Sequence, residues 1–223
     1  MMNPNRSYQK PEPRKEDKLF YIFCEGRRRE PEYFRFFDSF SRRITLKPIP
    51  PEHGEDHSPT GLFEKARVFF LETTDNPSPQ YDLFPDDEVW FVVDTDRWEK
   101  DNKIDTLRTC CKEYSGWRVA QSNPCFEAWL YYHFYAGKPT RDLFPDMEAS
   151  RKWKAFVNTS IQGGFDSERH PKFVGRAIRH AKSNHSETGG KLDVACTEVF
   201  TLAENFYPFV KKRIEALLAR QGE

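Results

Sequence analysis

Three acidic residues follow two apolar runs of this chain. The run Leu19–Cys24 is followed by Glu25, and the run Val89–Val93 is followed by Asp94 and Asp96. Runs rich in aromatic and β-branched residues predict strands covered on both faces, and open α/β sheets bind ligands outside the carboxyl ends of their strands. Converging carboxylates repel one another unless a cation lies among them, and hard oxygen ligands suit Mg²⁺ or Mn²⁺. The pattern therefore predicts metal-dependent phosphoryl chemistry.

Each of these acids also has a purely structural interpretation. Glu25 can be a solvated strand end, although Gly26 lets the backbone turn sharply and approach a ligand. Asp94 and Asp96 can cap a helix or a turn, but residues two apart in an extended chain point to the same side, so both can hold metal. Glu127, in the first turn of a predicted helix, is assigned a metal or acid–base role. Its alternative is compensation of the helix dipole, worth about 0.3–1 kcal/mol.

Several basic and polar residues are predicted to contact a nucleic acid. The run Arg27–Arg29 can clamp phosphates through Arg27 and Arg28, or it is a solvated charge run. Asn123 is expected to position the substrate. Three further cations recur at helical spacing opposite an apolar face and predict a stripe along a phosphate backbone, the alternative being an ordinary solvated face. These are Lys172, Arg176 and Arg179.

Composition excludes several other classes of protein. The 31% of charged residues cancel to a net charge of zero, so overall charge carries no nucleic-acid signal. The five cysteines lack paired C-x-x-C spacing, which predicts neither a disulfide framework nor a zinc knuckle. No apolar run approaches the roughly 18 residues of a membrane span, and the N-terminus lacks a signal-peptide pattern. We therefore expect a cytoplasmic protein without a membrane segment.

Two further motif types are weak or missing. His53 and His57 lie in an acidic loop, but no third zinc ligand accompanies them. His133 falls on an apolar helix face and is interpreted as a hydrogen-bonded core residue. The chain has no Walker A phrase, so ATP hydrolysis by this chain is not expected.

Strand and helix patterns alternate through the first part of the chain. Strands are predicted over residues 19–24, 44–49, 88–93 and 117–120, with amphipathic helices between them. This order implies right-handed crossovers and a parallel sheet. The fold class is therefore α/β, a Rossmann-like parallel sheet of about four strands with flanking helices, plus a mainly helical C-terminal extension.

The predicted organisation has three parts: a disordered leader over residues 1–17, an α/β domain over 18–136, and a helical extension over 137–223 packed on the same domain. Within the α/β domain, Ser122–Pro124 is predicted to cap and open a helix. No strand pattern is visible after Gly137. In the extension, Pro208 is predicted to kink or divide the last helix.

Three phrases together carry a family resemblance. They occur in order over most of the chain and are Phe23–Gly26 with Glu30–Phe34, Phe91–Asp96, and Ser122–Leu130. The chain resembles the RloB family, which looks like a minimal Toprim domain. The resemblance implies that Glu25 matches the Toprim glutamate, with an acid–base or metal role, and that Asp94 and Asp96 match its metal-binding D-x-D. Relatives carry an Asn-Pro-Ser-Thr phrase near the C-terminus, where only Thr197 fits here, so no role is carried there.

The resemblance also implies a cellular setting. It suggests a bacterial or archaeal anti-phage or abortive-infection system with a partner ATPase of the AAA or ABC type, similar to RloA or AbiLi. The predicted function is thus a divalent-metal-dependent nuclease acting on DNA or RNA as the effector of that system. The alternative is a non-catalytic Toprim-fold interaction or sensor subunit. A homo-oligomer is left open.

Overall fold

The computed structural model describes residues 17–96, 98 and 101–221. The predicted leader, apart from Asp17, lies outside these described residues. The strands are β1 (Lys18–Cys24), β2 (Ile44–Ile49), β3 (Glu88–Asp94), β4 (Trp117–Asn123), β5 (Glu187–Thr188), β6 (Lys191–Leu192) and β7 (Cys196–Thr197). The helices are α1 (Arg29–Arg35), α2 (Pro59–Phe70), α3 (Lys103–Cys111), α4 (Glu127–Tyr131), α5 (Ser150–Ser160), α6 (Val174–Asn184) and α7 (Val199–Gln221), with a 3₁₀ turn at His170–Phe173.

The main sheet has the order β2-β1-β3-β4-β7. Its first four strands are parallel, and β7 pairs antiparallel with β4 through two residues. In this register Cys24 lies beside Val92, and Asp94 lies beside Ser122. The carboxyl ends of β1, β3 and β4 are therefore level. The predicted α/β class with a mostly parallel, Rossmann-like sheet is confirmed.

Side-chain alternation explains why these strands are covered on both faces. Along β1, Phe20, Ile22 and Cys24 belong to one buried cluster, whereas Tyr21 and Phe23 belong to another on the opposite face. Successive strand residues point to opposite faces. Since both faces are apolar, the strand reads as a continuous apolar run, as predicted.

The two faces of the sheet are covered by different parts of the chain. Helices α2 and α3 supply the cluster on one face. On the other face, residues of α1 and α4–α7 share one cluster with β1 and β3. This cluster runs from Phe20 to Ile214, so the C-terminal half packs on the same core as the strands. The predicted boundary after residue 136 stays a prediction.

The sheet contains more strands than predicted, because β7 adds a fifth after Gly137. The expectation that strands end before this residue was wrong, and β5 and β6 form a separate two-stranded hairpin. Strands of two residues are too short to produce a period-two pattern. Ser122 Oγ and Thr197 Oγ1 lie 2.7 Å apart, a polar contact between β4 and β7 that an apolar pattern does not indicate.

The predicted helix cap at Ser122 and Asn123 was also wrong. Both residues continue β4, and α4 begins only at Glu127 without a capping side chain. Strand β4 extends past Ala120 because its polar residues are paired: Gln121 Nε2 donates to Thr95 Oγ1 at 2.7 Å. A buried polar group costs little when it is hydrogen-bonded.

The C-terminal helix is not divided at Pro208. Helix α7 runs without a break through this residue. Phe206 and Val210 on either side of it are fully buried, and their packing holds both halves in one helix. None of the helices in the described part of the chain is long and apolar enough to cross a bilayer.

Candidate active site

Two strand ends bring three carboxylates together. Glu25 follows β1, Asp94 ends β3, and Asp96 lies in the turn after β3. One oxygen from each lies within 4.8 Å of the others. The backbone fixes this arrangement, because the Glu25 N–H donates to Val92 O at 3.1 Å and the Asp94 N–H donates to Glu25 Oε2 at 2.9 Å. The acids predicted from the two apolar runs thus form one group.

The turn that carries the two aspartates is anchored on the connection between β4 and α4. The N–H groups of Thr95 and Asp96 donate to Pro124 O at 3.0 and 3.2 Å. Asp94 Oδ1 accepts the Phe126 N–H at 2.8 Å, just before α4. One oxygen of Asp94 therefore has a structural role, because it fixes the connection that leads into α4. Its other oxygen makes no hydrogen bond within the described residues.

A polar cleft of about 510 Å³ opens in front of these acids. Two further carboxylates, of Glu30 and Glu127, line it although each residue is only 5% exposed. Glu30 Oε1 accepts the Gly26 N–H at 3.2 Å. Gly26 is required for this contact, since a Cβ there would lie 2.1 Å from Glu30 Oε2. The close approach expected at Gly26 is thus made by a side chain of the protein.

The cleft is unfavourable for negative charge. Burial raises the pKa of Glu25 to about 7, and the charges of Asp96 and Glu30 act in the same direction. Burial also raises the pKa of Glu30 to about 7. The pKa of Asp94 lies well above its usual range because of burial and the surrounding carboxylates. A positive charge placed among these carboxyl groups would stabilise the ionised form of each.

A buried acid at the other end of β3 provides a comparison. Glu88 is 6% exposed, and its oxygens contact Lys18 Nζ at 2.5 Å, Arg118 Nη1 at 2.9 Å and Trp90 Nε1 at 2.7 Å. A buried carboxylate is normally compensated in this way. In the part of the chain that the structure describes, no side-chain nitrogen of a Lys or Arg lies within 4.0 Å of a carboxylate oxygen of Glu25 or Asp94. The compensation missing at the carboxyl end of the sheet is what a bound cation would provide.

The donor set fits a hard divalent cation. Carboxylate oxygens are the ligands that Mg²⁺ and Mn²⁺ prefer. Adjacent ligands of an octahedral Mg²⁺ lie about 3 Å apart, so oxygens within 4.8 Å of one another need only small side-chain rotations. The indole N–H of Trp98 approaches Glu25 and opposes the rise of its pKa. This nitrogen is buried without a well-formed hydrogen bond among the described residues.

Cations also line the cleft, but those of the loop after β1 are already engaged. Arg27 Nη2 donates to the carbonyl of Glu52 at 3.1 Å, and Arg28 Nε contacts a carboxylate oxygen of Glu32 at 2.7 Å. Arg29 Nη1 donates to a carbonyl at 3.2 Å. The predicted phosphate contacts of Arg27 and Arg28 stay predictions, and these contacts would have to compete with the existing ones.

The other predicted nucleic-acid contacts do not line this cleft. Asn123 Nδ2 donates to Leu192 O at 2.6 Å. Lys172 lies in the 3₁₀ turn before α6, is only 9% exposed, and has its Nζ 4.9 Å from the Phe173 ring centre. Arg176 stacks over the same ring at 4.5 Å. Arg179 donates to the carbonyl one turn before it. These four contact roles stay untested predictions.

Sequence reasoning missed several residues of the cleft. They are Glu30, Ser150, Arg151 and Lys154. Glu30 has a weak signal, an acid at the start of the helix that follows the first strand. Ser150 is brought in by a tertiary contact, since its hydroxyl donates to Asp96 Oδ2. His57 reaches the cleft, while its supposed zinc partner His53 is exposed and does not line it.

A second group of possible metal ligands lies elsewhere and is compensated from within. His185, Glu187 and Glu198 offer ligand atoms within 4.8 Å of one another. However, Glu198 Oε2 contacts Arg108 Nη2 at 2.6 Å and accepts the Gln121 N–H at 2.9 Å. Because this carboxylate already has a cation, we assign no metal to the group.

Comparison with known proteins identifies a family. The model of the family described as RloB-like protein matches residues 20–206. The matched range contains the carboxylate group, the cleft and the first third of α7. No curated protein and no solved structure shows significant similarity to the chain.

Proposed function

The chain belongs to the RloB-like family, and from this premise and the geometry of the cleft we propose that it is a divalent-metal-dependent nuclease. The observation that carries the proposal is the group of Glu25, Asp94 and Asp96, whose oxygens lie within 4.8 Å of one another without a compensating cation among the described residues. A parallel sheet with acids at its carboxyl edge also supports a Toprim-type assignment.

The residues of the chain have distinct roles in this proposal. Glu25, Asp94 and Asp96 hold the cation, which is Mg²⁺ or Mn²⁺. A bound ion of this kind polarises a phosphoryl oxygen and activates water. Glu127 faces the same cleft from the start of α4 and is assigned proton transfer or support of the ion. The basic residues around the cleft hold the phosphates of the substrate.

The test is cleavage of labelled DNA, tRNA and total RNA with Mg²⁺ or Mn²⁺, with and without the partner ATPase. We expect cleavage by the wild type and its loss, by at least two orders of magnitude, in Glu25→Gln and Asp94→Asn. Asp86→Asn is a matched control, because Asp86 is an exposed acid before the opposite end of β3. Equal cleavage by Asp94→Asn and Asp86→Asn would contradict the proposal.

The cellular role is the further part of the proposal. We place the nuclease as the effector of an anti-phage system with a partner ATPase, and this rests on the family resemblance alone. The alternative is a non-catalytic subunit of the same complex. If no substrate is cleaved with or without the ATPase, while the two proteins still associate, the non-catalytic interpretation is correct.

A further inference from the structure

Helix α5 presents basic side chains to the carboxylate cleft. Arg151 and Lys154 both line it, three residues apart on one face of the helix. The helix is tied to the acids at its first residue, because the Ser150 hydroxyl donates to Asp96 Oδ2. The Lys154 ammonium lowers the pKa of Glu30, in opposition to burial. Helix α5 therefore faces the metal-binding carboxylates across the cleft.

Neither of these two side chains is held by a direct polar contact with a described residue. Within the described residues, neither Arg151 nor Lys154 forms a hydrogen bond or an ion pair. They differ in this from Arg27 and Arg28, which are held by protein groups, and from Lys152 on the same helix, whose Nζ lies 3.9 Å from a carboxylate oxygen of Asp146. A cation that faces a cleft without a protein partner is available to a ligand.

The charge distribution of α5 contradicts what the helix alone would favour. Acidic residues stabilise the first turn of a helix and cationic residues its last turn. Helix α5 has no acid in its first turn and no capping side chain, and its basic residues lie near its N-terminus instead. A local rule broken in this way marks a functional demand on the element. Here the positive end of the helix dipole and the basic side chains both contribute positive potential at the cleft.

We propose that Arg151 and Lys154 hold the phosphodiester backbone of the substrate against the carboxylate group. The inference rests on the proposed function and deepens it, because it identifies the anion-binding half of the site. A phosphodiester satisfies both halves: its non-bridging oxygens accept from the guanidinium and ammonium groups, and they complete the shell of a hard cation that few carboxylates hold. The basic side chains and the cation held by the carboxylates would thus bind opposite sides of one phosphate group.

The test is the salt dependence of binding by the full chain. Labelled single-stranded and duplex DNA and RNA are titrated by fluorescence anisotropy, with Ca²⁺ in place of Mg²⁺ to suppress turnover. The variant is Arg151→Gln with Lys154→Gln, and the matched control is Lys152→Gln. Each phosphate contact makes the slope of log affinity against log salt more negative, by about 0.7 for a single strand and about 0.9 for duplex DNA. We therefore expect the double variant to flatten the slope by roughly 1.4 units on single strands and roughly 1.8 units on duplex DNA. The control should leave the slope unchanged.

Stability gives a second measurement. Since both side chains are exposed, their neutralisation should leave the unfolding midpoint nearly unchanged. Weaker binding with an intact midpoint therefore supports the phosphate contact. A slope equal to that of the wild type, or an equal flattening by Lys152→Gln, overturns the inference even if the wild type cleaves nucleic acid. Conversely, a flattened slope without any cleavage by the wild type contradicts the nuclease proposal and leaves the phosphate contact standing.

Discussion

At the scale of single residues, the contact between Gly26 and Glu30 determines how the cleft is built. The buried Glu30 carboxylate occupies the space where a Cβ of residue 26 would lie. It also accepts the Gly26 N–H, which fixes the turn directly after Glu25. Gly26 thus lets the Glu30 carboxylate lie against the turn that follows Glu25, and a side chain at residue 26 would displace this carboxylate.

We predict that Gly26→Ala lowers the free energy of unfolding by about 1–3 kcal/mol, because the displaced Glu30 carboxylate loses its hydrogen bond while still buried. Chemical denaturation measures this loss. Gly137→Ala is the control, since a Cβ there meets nothing within 4 Å. Adding Glu30→Ala to the Gly26→Ala variant should remove most of the difference between glycine and alanine. A difference that persists in this background would assign the effect to the backbone.

Glu30 also predicts a pH dependence of stability. Its pKa is raised from 4.5 to about 7, chiefly by burial. A carboxyl group with a raised pKa stabilises the fold below pH 4.5, and this contribution is lost as the pH rises through about 7. In metal-free protein, Glu30→Gln should therefore reduce the fall in stability across this range by roughly 1–3 kcal/mol. Thermal melts at several pH values measure it, with the exposed Glu113→Gln as control. An equal fall in both variants would refute the assignment.

At the scale of elements, α7 shows tertiary packing overriding a local signal. Pro208 lacks the N–H that would donate to the carbonyl of Glu204, yet the helix continues through it. Buried residues on both sides anchor the helix to the core. The missing hydrogen bond is a cost that this packing offsets.

We predict that Pro208→Ala raises the free energy of unfolding by about 1–3 kcal/mol, because alanine restores the hydrogen bond and removes the ring clash. Pro208 is exposed, so the substitution leaves no cavity. Denaturant titration gives the magnitude, and Lys212→Ala on the same helix corrects for the propensity of alanine. A destabilised Pro208→Ala protein would show that the proline ring itself makes a packing contact.

At the scale of the whole molecule, the carboxylate group couples cation binding to folding. Its ligands come from β1, β3 and the turn after β3, so they meet only in the folded chain. A ligand that binds only the native state raises its stability, by about 2.7 kcal/mol at one hundred times the dissociation constant.

Millimolar Mn²⁺ or Mg²⁺ should therefore raise the melting temperature of the wild type, and Asp94→Asn with Asp96→Asn should abolish the increase. Asp86→Asn should retain it. A wild-type melting temperature that does not respond to either cation, with or without an oligonucleotide to complete the shell, would rule out the metal site.

The sequence by itself determined the strands of the parallel sheet and the acids at their ends. Strands β1 and β3 are recognisable in the sequence because both of their faces are buried, so that each strand is a local run of apolar residues. In a parallel sheet such strands end at the same edge, and the meeting of Glu25 with Asp94 followed from that rule.

Tertiary structure alone brought helix α5 to the cleft. Arg151 and Lys154 lie far along the chain from Glu25 and reach the cleft only because α5 packs beside the turn that carries Asp96. The addition of β7 to the sheet likewise depends on a distant partner, β4. Periodicity reports which side of an element is buried, because that is a local property. It does not report which element lies opposite, since that depends on the packing of the whole chain.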